Sequence, residues 1–286
     1  MRTYANWAPA GRGAYPLLRQ VLKLSPAKPG QYTTPAGVCL TLDTTTYPDD
    51  AMAFGLYELD TLRLIRRILT PGCHFVDGGA NIGYFTLHAA KFLAGHGTVT
   101  SFEPDPLNLT RLKAHLAANN LTPNGPTPAV HLHEKALGSS PGTLTLYHPG
   151  GHTAESNNHG RASIYQSLAP GGQSFSVPVV RLDEALGGTI PTLIKLDIEG
   201  AEVQAVTGMQ NLLVSSRPPM LIIEHNEESA RAAGGTPGDV FALIEKFNPA
   251  YRFYWIGSRL RPITAAQLAH TPRQANIFVT ATGLPG

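Results

Sequence analysis

At 286 residues, 42 % hydrophobic and 15 % charged, the chain can form one large domain, or one domain with a small appendage, and is too apolar for wholesale disorder. A formal net charge of +2 with scattered basic residues lacks the clustered footprint of a nucleic-acid binder. Cys39 and Cys73 are too few for a disulfide framework or a structural zinc site, no charged-then-apolar leader opens the sequence, and no apolar run reaches the ~18 residues of a membrane span, so a cytoplasmic protein without a membrane span is expected.

Residues 1–35 are rich in Pro, Gly and Ala and read as an irregular arm with one short amphipathic helix over 16–24. Over 57–69 a helical stripe joins Leu59, Leu62, Ile65, Ile68 and Leu69, and Thr70-Pro71-Gly72 ends it. Arg63, Arg66 and Arg67 read as the solvated face of that helix rather than an anion site. The expected division is an N-terminal arm and helical cap over 1–70 and a main domain over 71–286.

An apolar run from His74 ends in Asp77; Gly79, Asn81 and Gly83 then fall at alternate positions, and a helix opens over 84–92. This is a strand feeding a glycine-rich turn, where backbone N–H groups can approach a ligand because no Cβ intervenes. A dinucleotide turn needs Gly at its first, third and sixth positions, but Ala80 or Asn81 occupies the third in either register, and the Lys-Ser/Thr of a P-loop is absent.

Downstream, 98–103 reads as a strand, 107–119 as a helix and 129–133 as a strand. Short strands over 144–147 and 175–180 flank the segment 149–172, which is polar, aperiodic and long enough to contact an acceptor or cover a site. His148, His152 and His159 lack zinc-ligand spacing and read as surface residues. Alternation resumes with a helix over 182–186, a strand over 192–196, a helix over 201–209, a strand over 220–225 and a helix over 237–247; 252–256 and 276–280 close as a strand pair. The pattern gives an α/β fold: a mostly parallel sheet, helices on both faces and an antiparallel closing strand pair.

Ligands of such sheets bind at the carboxyl ends of the strands. Asp77 ends one strand and Glu103 the next, where a carboxylate can accept both ribose hydroxyl hydrogens; capping of the following helix is the alternative, and the ribose role is preferred. If the chain stays extended after 192–196, Lys195, Asp197 and Glu199 face one side, a carboxylate pair suited to general-base work, while Glu202 reads as helix-end electrostatics. Glu224-His225-Asn226 ends the next strand. Glu224 or His225 could act as base without metal. Alternatively, Asp197 with Glu224 and Asn226 resembles the layout of magnesium-dependent catechol-type O-methyltransferases; Mg²⁺ is the less favoured of these readings.

Val76-Asp-Gly-Gly-Ala-Asn-Ile-Gly-Tyr-Phe-Thr86, Phe102-Glu-Pro-Asp-Pro106, Lys135-Ala-Leu-Gly138 and Lys195-Leu-Asp-Ile-Glu-Gly-Ala-Glu202, in that order and preceded by Tyr57-Glu58, resemble the FkbM-type methyltransferase family over roughly 54–224. The resemblance implies a Rossmann-like class I methyltransferase fold, S-adenosyl-L-methionine as cofactor, and O-methylation of a small-molecule hydroxyl acceptor, typically a glycoside or polyketide-like natural product. Asp77, Gly79, Asn81 and Gly83 would line the methionine and ribose portion, with Gly78 standing where the family commonly has a larger residue. Glu103 would hold the ribose, Pro104 would lie against the adenine, Lys135 and Ala136 would meet its edge, and Asp197 and Glu199 would face the methyl. A nucleic-acid methyltransferase is the enzymatic alternative, but Asp197-Ile-Glu-Gly stands where amino-modifying enzymes carry Asn/Asp-Pro-Pro-aromatic, and Arg217-Pro-Pro-Met220 lies in the wrong element. A cofactor-binding module without turnover has no need of the acidic set around Asp197.

Overall fold

The structure, a computed structural model, describes residues 20, 29–124, 129–148, 162–168, 172–271 and 274–285. The helix expected over 16–24 falls almost wholly outside these residues, as do His152, His159 and most of the 149–172 segment. A hairpin of β1 (Gly30–Thr33) and β2 (Cys39–Leu42) leads into helices α1 (Asp49–Ala53) and α2 (Leu59–Ile68). Strands β3 (His74–Gly78), β4 (Thr98–Phe102) and β5 (Ala129–His133) alternate with α3 (Tyr84–Leu93) and α4 (Pro106–Ala118). Next come β6 (Ala136–Leu137), β7 (Gly142–His148) and β8 (Gln173–Val180), which form a separate three-stranded sheet, then α5 (Leu182–Ala185) and β9 (Leu193–Leu196). After α6 (Glu202–Thr207), α7 (Gln210–Leu213), β10 (Met220–His225), α8 (Glu227–Ala232) and α9 (Asp239–Phe247), the chain closes with β11 (Arg252–Trp255), β12 (Arg261–Ile263), α10 (Ala265–Leu268) and β13 (Ala275–Thr280).

The main sheet runs β12-β11-β13-β10-β9-β3-β4-β5, with the five strands from β10 to β5 parallel and β13, β11 and β12 each antiparallel to its neighbours. The chain builds outward from β3 to β5, then returns to lay β9 and β10 on the other side of β3. The strand order therefore reverses between β3 and β9, where ligands of open α/β sheets bind. Strand alternation covers both faces. Phe75, Val99, Leu193, Ile222 and Phe278 join one core with α2, α3 and α4; Val76, Phe102, Ile194, Leu221 and Val279 join the other with α6, α7 and α9.

Caps place the helices. Asp105 Oδ1 accepts from Leu107 N at 2.8 Å ahead of Pro106 in α4. Asn226 Oδ1 accepts from Glu228 N at 3.1 Å and so starts α8, a helix the sequence pattern does not show. The helix expected over 201–209 divides at Gly208, whose Cβ position lies 2.0 Å from the Gly138 carbonyl oxygen; the close approach to the small sheet breaks it into α6 and α7. The closing pair is three strands, because β12 adds to β11.

Residues 38–69 share one apolar core with α3 and α4. The Asn119 side chain exchanges hydrogen bonds with Cys39, accepting from its N at 2.8 Å and donating to its O at 2.7 Å, and Arg111 pairs with Asp49 at 2.7 Å. Among the described residues no helix is long and apolar enough to cross a membrane.

Candidate active site

The carboxyl ends of β10, β9, β3, β4 and β5 open into one cleft. Tyr47, Met52, Tyr57 and Glu58 roof one part of it, and Leu144 and Leu146 of β7 with Ala162 and Ile164 form an apolar wall; between the last two, Ser163 Oγ donates to Glu199 O at 3.2 Å.

The glycine-rich turn leaves β3 with Gly79 at φ 82°, Asn81 at φ 50° and Gly83 at φ 91°. Gly79 N and Ala80 N both donate to Phe102 O at 3.0 Å, and Asn81 N donates to Glu103 Oε2 at 2.7 Å. Glu103 Oε1 accepts from Asp105 N at 2.9 Å. Glu103 thus latches the turn to the end of β4, and capping of α4, its alternative role, falls to Asp105. Glu103 is 4 % exposed, and burial pushes its carboxyl up to about 7 against the backbone N–H groups of Asp105 and Asn81. A carboxylate has about four acceptor positions, so two backbone donors and the Asn108 side chain leave capacity for a ligand hydroxyl.

Gly79, Asn81, Glu103, Pro104, Lys135 and Ala136 line the cleft. Asp77, Gly78 and Gly83, expected beside the cofactor, do not. Asp77 is buried beneath the turn, accepting from Thr86 Oγ1 at 2.6 Å, and its Oδ1 is sealed without a hydrogen bond. A Cβ on Gly78 would press on the leucine ends of Leu196 at 2.8 Å and Leu137 at 2.9 Å, and Gly83, at a left-handed φ of 91°, would bring one against Leu112 at 2.3 Å, so both glycines serve the turn's packing and shape. Gly79 also differs from expectation in its reason: its Cβ position lies 1.9 Å from the Asp197 carbonyl oxygen, so the turn is glycine because β9 passes against it.

Lys195 and Asp197 obey strand alternation. Lys195 is 1 % exposed, with Nζ 4.5 Å from the centre of the Phe85 ring and 2.7 Å from Asp197 Oδ2. Burial opposes its charge, but the carboxylates of Asp197, Glu58 and Asp77 together hold it protonated, well above the usual lysine range. Beyond Leu196 the chain does not stay extended. Glu199 at φ 50° and Gly200 at φ 102° make a turn that Glu202 ties, accepting from Ile198 N at 3.1 Å and Gly200 N at 3.0 Å. Burial raises Glu202 to about 7. The turn carries Glu199 to the same place by another route: Asp197, Glu199 and Glu224 offer oxygens all within 4.8 Å of one another.

Glu224 Oε1 accepts from Gln274 Nε2 at 2.6 Å, while Oε2 is sealed from solvent with no hydrogen-bond partner. Burial, then the charges of Asp197 and Glu199, push its carboxyl well above the ordinary value. The other two members of its triplet lie elsewhere. His225 is buried and pairs through Nε2 with Leu268 O at 2.9 Å, stacking on Phe241 in the core. Asn226 spends its oxygen capping α8 and only its amide group reaches Glu199, at 3.5 Å. Neither forms the expected base or oxygen ligand. His148, read as a surface residue, is partly buried with Nδ1 against Asp105 Oδ2.

Sequence reasoning named a helical cap over 1–70 but not its residues in the cleft, and missed the part of the apolar wall that β7 supplies. Tyr57-Glu58 was noted in the family resemblance and as a helix start, without a role in the site, and Glu58 takes a left-handed φ of 41° that aims its carboxylate inward, where Asn276 Nδ2 donates to it. Leu144 and Leu146 reach the cleft through strand pairing that no local pattern announces, whereas Ala162 and Ile164 belong to the 149–172 segment expected to contact an acceptor or cover the site.

The methyltransferase FkbM domain matches residues 77–252, more than half of the chain. "Methyltransferase 1" of Beauveria bassiana (strain ARSEF 2860) is 29 % identical over 152 residues, covering 48 % of this chain and 58 % of that protein. The methyltransferase FkbM structure from Methylobacillus flagellatus KT aligns at 18 % identity and TM-score 0.48 over 83 % of this chain and 56 % of its own. The precorrin-6y C5,15-methyltransferase of Geobacter metallireducens GS-15 aligns at 10 % identity and TM-score 0.42, over 78 % of this chain and 88 % of its own. The chain thus spans a little over half the length of the first two relatives.

Proposed function

The chain belongs to the methyltransferase FkbM domain family, and on that premise we propose that it is an S-adenosyl-L-methionine-dependent O-methyltransferase acting on a hydroxyl of a sugar or secondary metabolite. One observation supports this most: the turn latched by Glu103 and the acids ending β9 and β10 share one cleft across the strand-order reversal. The residues suit the cofactor. Glu103 has acceptor capacity for a ribose hydroxyl, Asn81 and Gly79 present backbone at the turn, and Leu144, Leu146, Ala162 and Ile164 with Pro104 offer apolar surface suited to the faces of an adenine ring.

When bound, S-adenosyl-L-methionine supplies an electrophilic methyl group. The protein's part is alignment and proton removal. Glu224 is the assigned base: its Oε2 is buried in the cleft with no hydrogen-bond partner and burial raises the carboxyl's affinity for a proton, whereas Asp197 is engaged with Lys195. Asp197 then orients the hydroxyl. Calorimetry with S-adenosylmethionine, S-adenosylhomocysteine and NAD tests the cofactor; absence of heat with both sulfur compounds would sink the reading. Labelled cofactor with a panel of glycosides and polyols tests the acceptor.

The convergence of Asp197, Glu199 and Glu224 supports a second reading, with Mg²⁺ held by one or two of these carboxylates and waters, orienting the hydroxyl and lowering its pKa. Loss of turnover with EDTA, restored by Mg²⁺, would establish it over metal-free base catalysis.

A further inference from the structure

The half of the cleft at the ends of β9 and β10 gathers four carboxylates: Glu58 ahead of α2, Asp197 and Glu199 beyond β9, and Glu224 in β10. Among the described residues the one cation lining that half is Lys195, and it is engaged with Asp197. Glu224 Oε2 is buried there without a partner. Above the acids, Tyr47 and Tyr57 line the cleft edge to face, ring centres 6.3 Å apart. The negative field reaches these rings: burial first, then Glu58, Asp50, Glu224 and Asp197, push the Tyr47 hydroxyl up to about 12.

We infer that the acceptor carries a protonated amine near the hydroxyl to be methylated, as in an amino sugar or aminocyclitol, and that Glu58, Glu199 and the Tyr57 ring hold it. This rests on the methyl-transfer reading and narrows its substrate class. A neutral polyol would bring no positive charge to this cluster, whose acids have hydrogen-bond donors but, among the described residues, only one cation. A hard divalent cation would satisfy three of the acids but gains nothing from ring faces, whereas an ammonium is attracted by carboxylates and rings alike. The pairing also directs the chemistry. Carboxylates around the ammonium favour its charged form, so the nitrogen keeps its proton and has no lone pair to offer. The hydroxyl oxygen forms the new O–C bond as the C–S bond breaks, its electron pair returning to sulfur as a neutral thioether, and the hydroxyl proton passes to Glu224.

The test is binding to the full-length protein loaded with S-adenosylhomocysteine. Methyl glucosaminide, methyl galactosaminide and streptamine are each titrated against the neutral counterpart, without metal and with Mg²⁺. At least one amine should bind about tenfold tighter or more than its counterpart, with the gap narrowing from about 0.05 M to about 0.5 M NaCl. Glu58→Gln should shrink the gap; Tyr57→Leu, which removes the ring and keeps every carboxylate, should shrink it less. Equal affinity, no binding by any amine, tighter binding of the neutral compounds, or a gap unchanged in both variants would overturn the inference. So would an amine advantage that disappears without Mg²⁺. Absence of heat with S-adenosylhomocysteine itself would instead overturn the methyltransferase reading.

Discussion

Three carboxyl groups in this site differ only in surroundings, and the surroundings assign their work. Asp197 is paired with a buried lysine, Glu103 is latched by two backbone N–H groups, and Glu224 has an oxygen that nothing satisfies. Glu224→Gln should therefore cut turnover by about 10²–10⁴-fold with S-adenosylhomocysteine affinity little changed, measured by steady-state kinetics beside calorimetry. Near wild-type turnover would return the base to Asp197 or Glu199. Glu103→Gln should weaken S-adenosylhomocysteine binding by about 1.5–3 kcal/mol, the worth of a hydrogen bond to a charged group. Glu202 has a different signature. Burial raises its folded carboxyl from an ordinary value near 4.5 to about 7. The unfolded chain therefore releases this proton first, and the stability associated with holding it is full below pH 4.5 and lost as pH rises towards 7. Thermal melts across that window should show wild type losing stability more steeply than Glu202→Gln; parallel slopes would mean that the proton is not held.

At the scale of the element, the turn after β3 and the end of β9 are built as one piece. Asp197 N donates to Gly78 O at 3.0 Å, and Gly79 has no room for a Cβ against the Asp197 carbonyl. Gly79→Ala should cost about 2–5 kcal/mol, from overpacking and a left-handed φ, and should weaken cofactor binding as the turn lifts off β9. Unchanged melting with lost binding would mean that the ligand alone requires the glycine. The need for glycine was legible in the spacing of Gly79, Asn81 and Gly83, because a turn of that shape leaves a local trace; the cause was not, because Asp197 lies more than a hundred residues away. The strands were legible where both faces are buried and the residues form apolar runs, as at Phe75-Val76 and Ile222-Ile223. β1, β2 and β12 escaped notice as four- and three-residue strands whose partners alone define them. Asp197 and Glu199 could be paired from alternation, yet their actual meeting depends on the Glu199-Gly200 turn.

For the molecule as a whole, residues 38–69 are structurally continuous with the main domain. Leu64, Ile65 and Ile68 of α2 lie in the same core as Phe85, Leu87 and Leu112, and Glu58 reaches across to Asn276 of β13. A protein trimmed to residues 71–286 should therefore expose the α3 and α4 faces and lose cooperative melting, which calorimetry and dye binding would register; a sharp transition near that of the full chain would mean that the cap is dispensable. The sheet order has a further use. From β4, which carries Glu103, to β10, which carries Glu224, there are three strand spacings, a span of about 14 Å at about 4.8 Å each. An adenosine joined to an amino sugar by a tether of about that length would reach both ends of the rim at once. Its second half would then bind at the high local concentration set by the tether, giving an inhibitor stronger than either fragment, and the best tether length would measure the rim from solution.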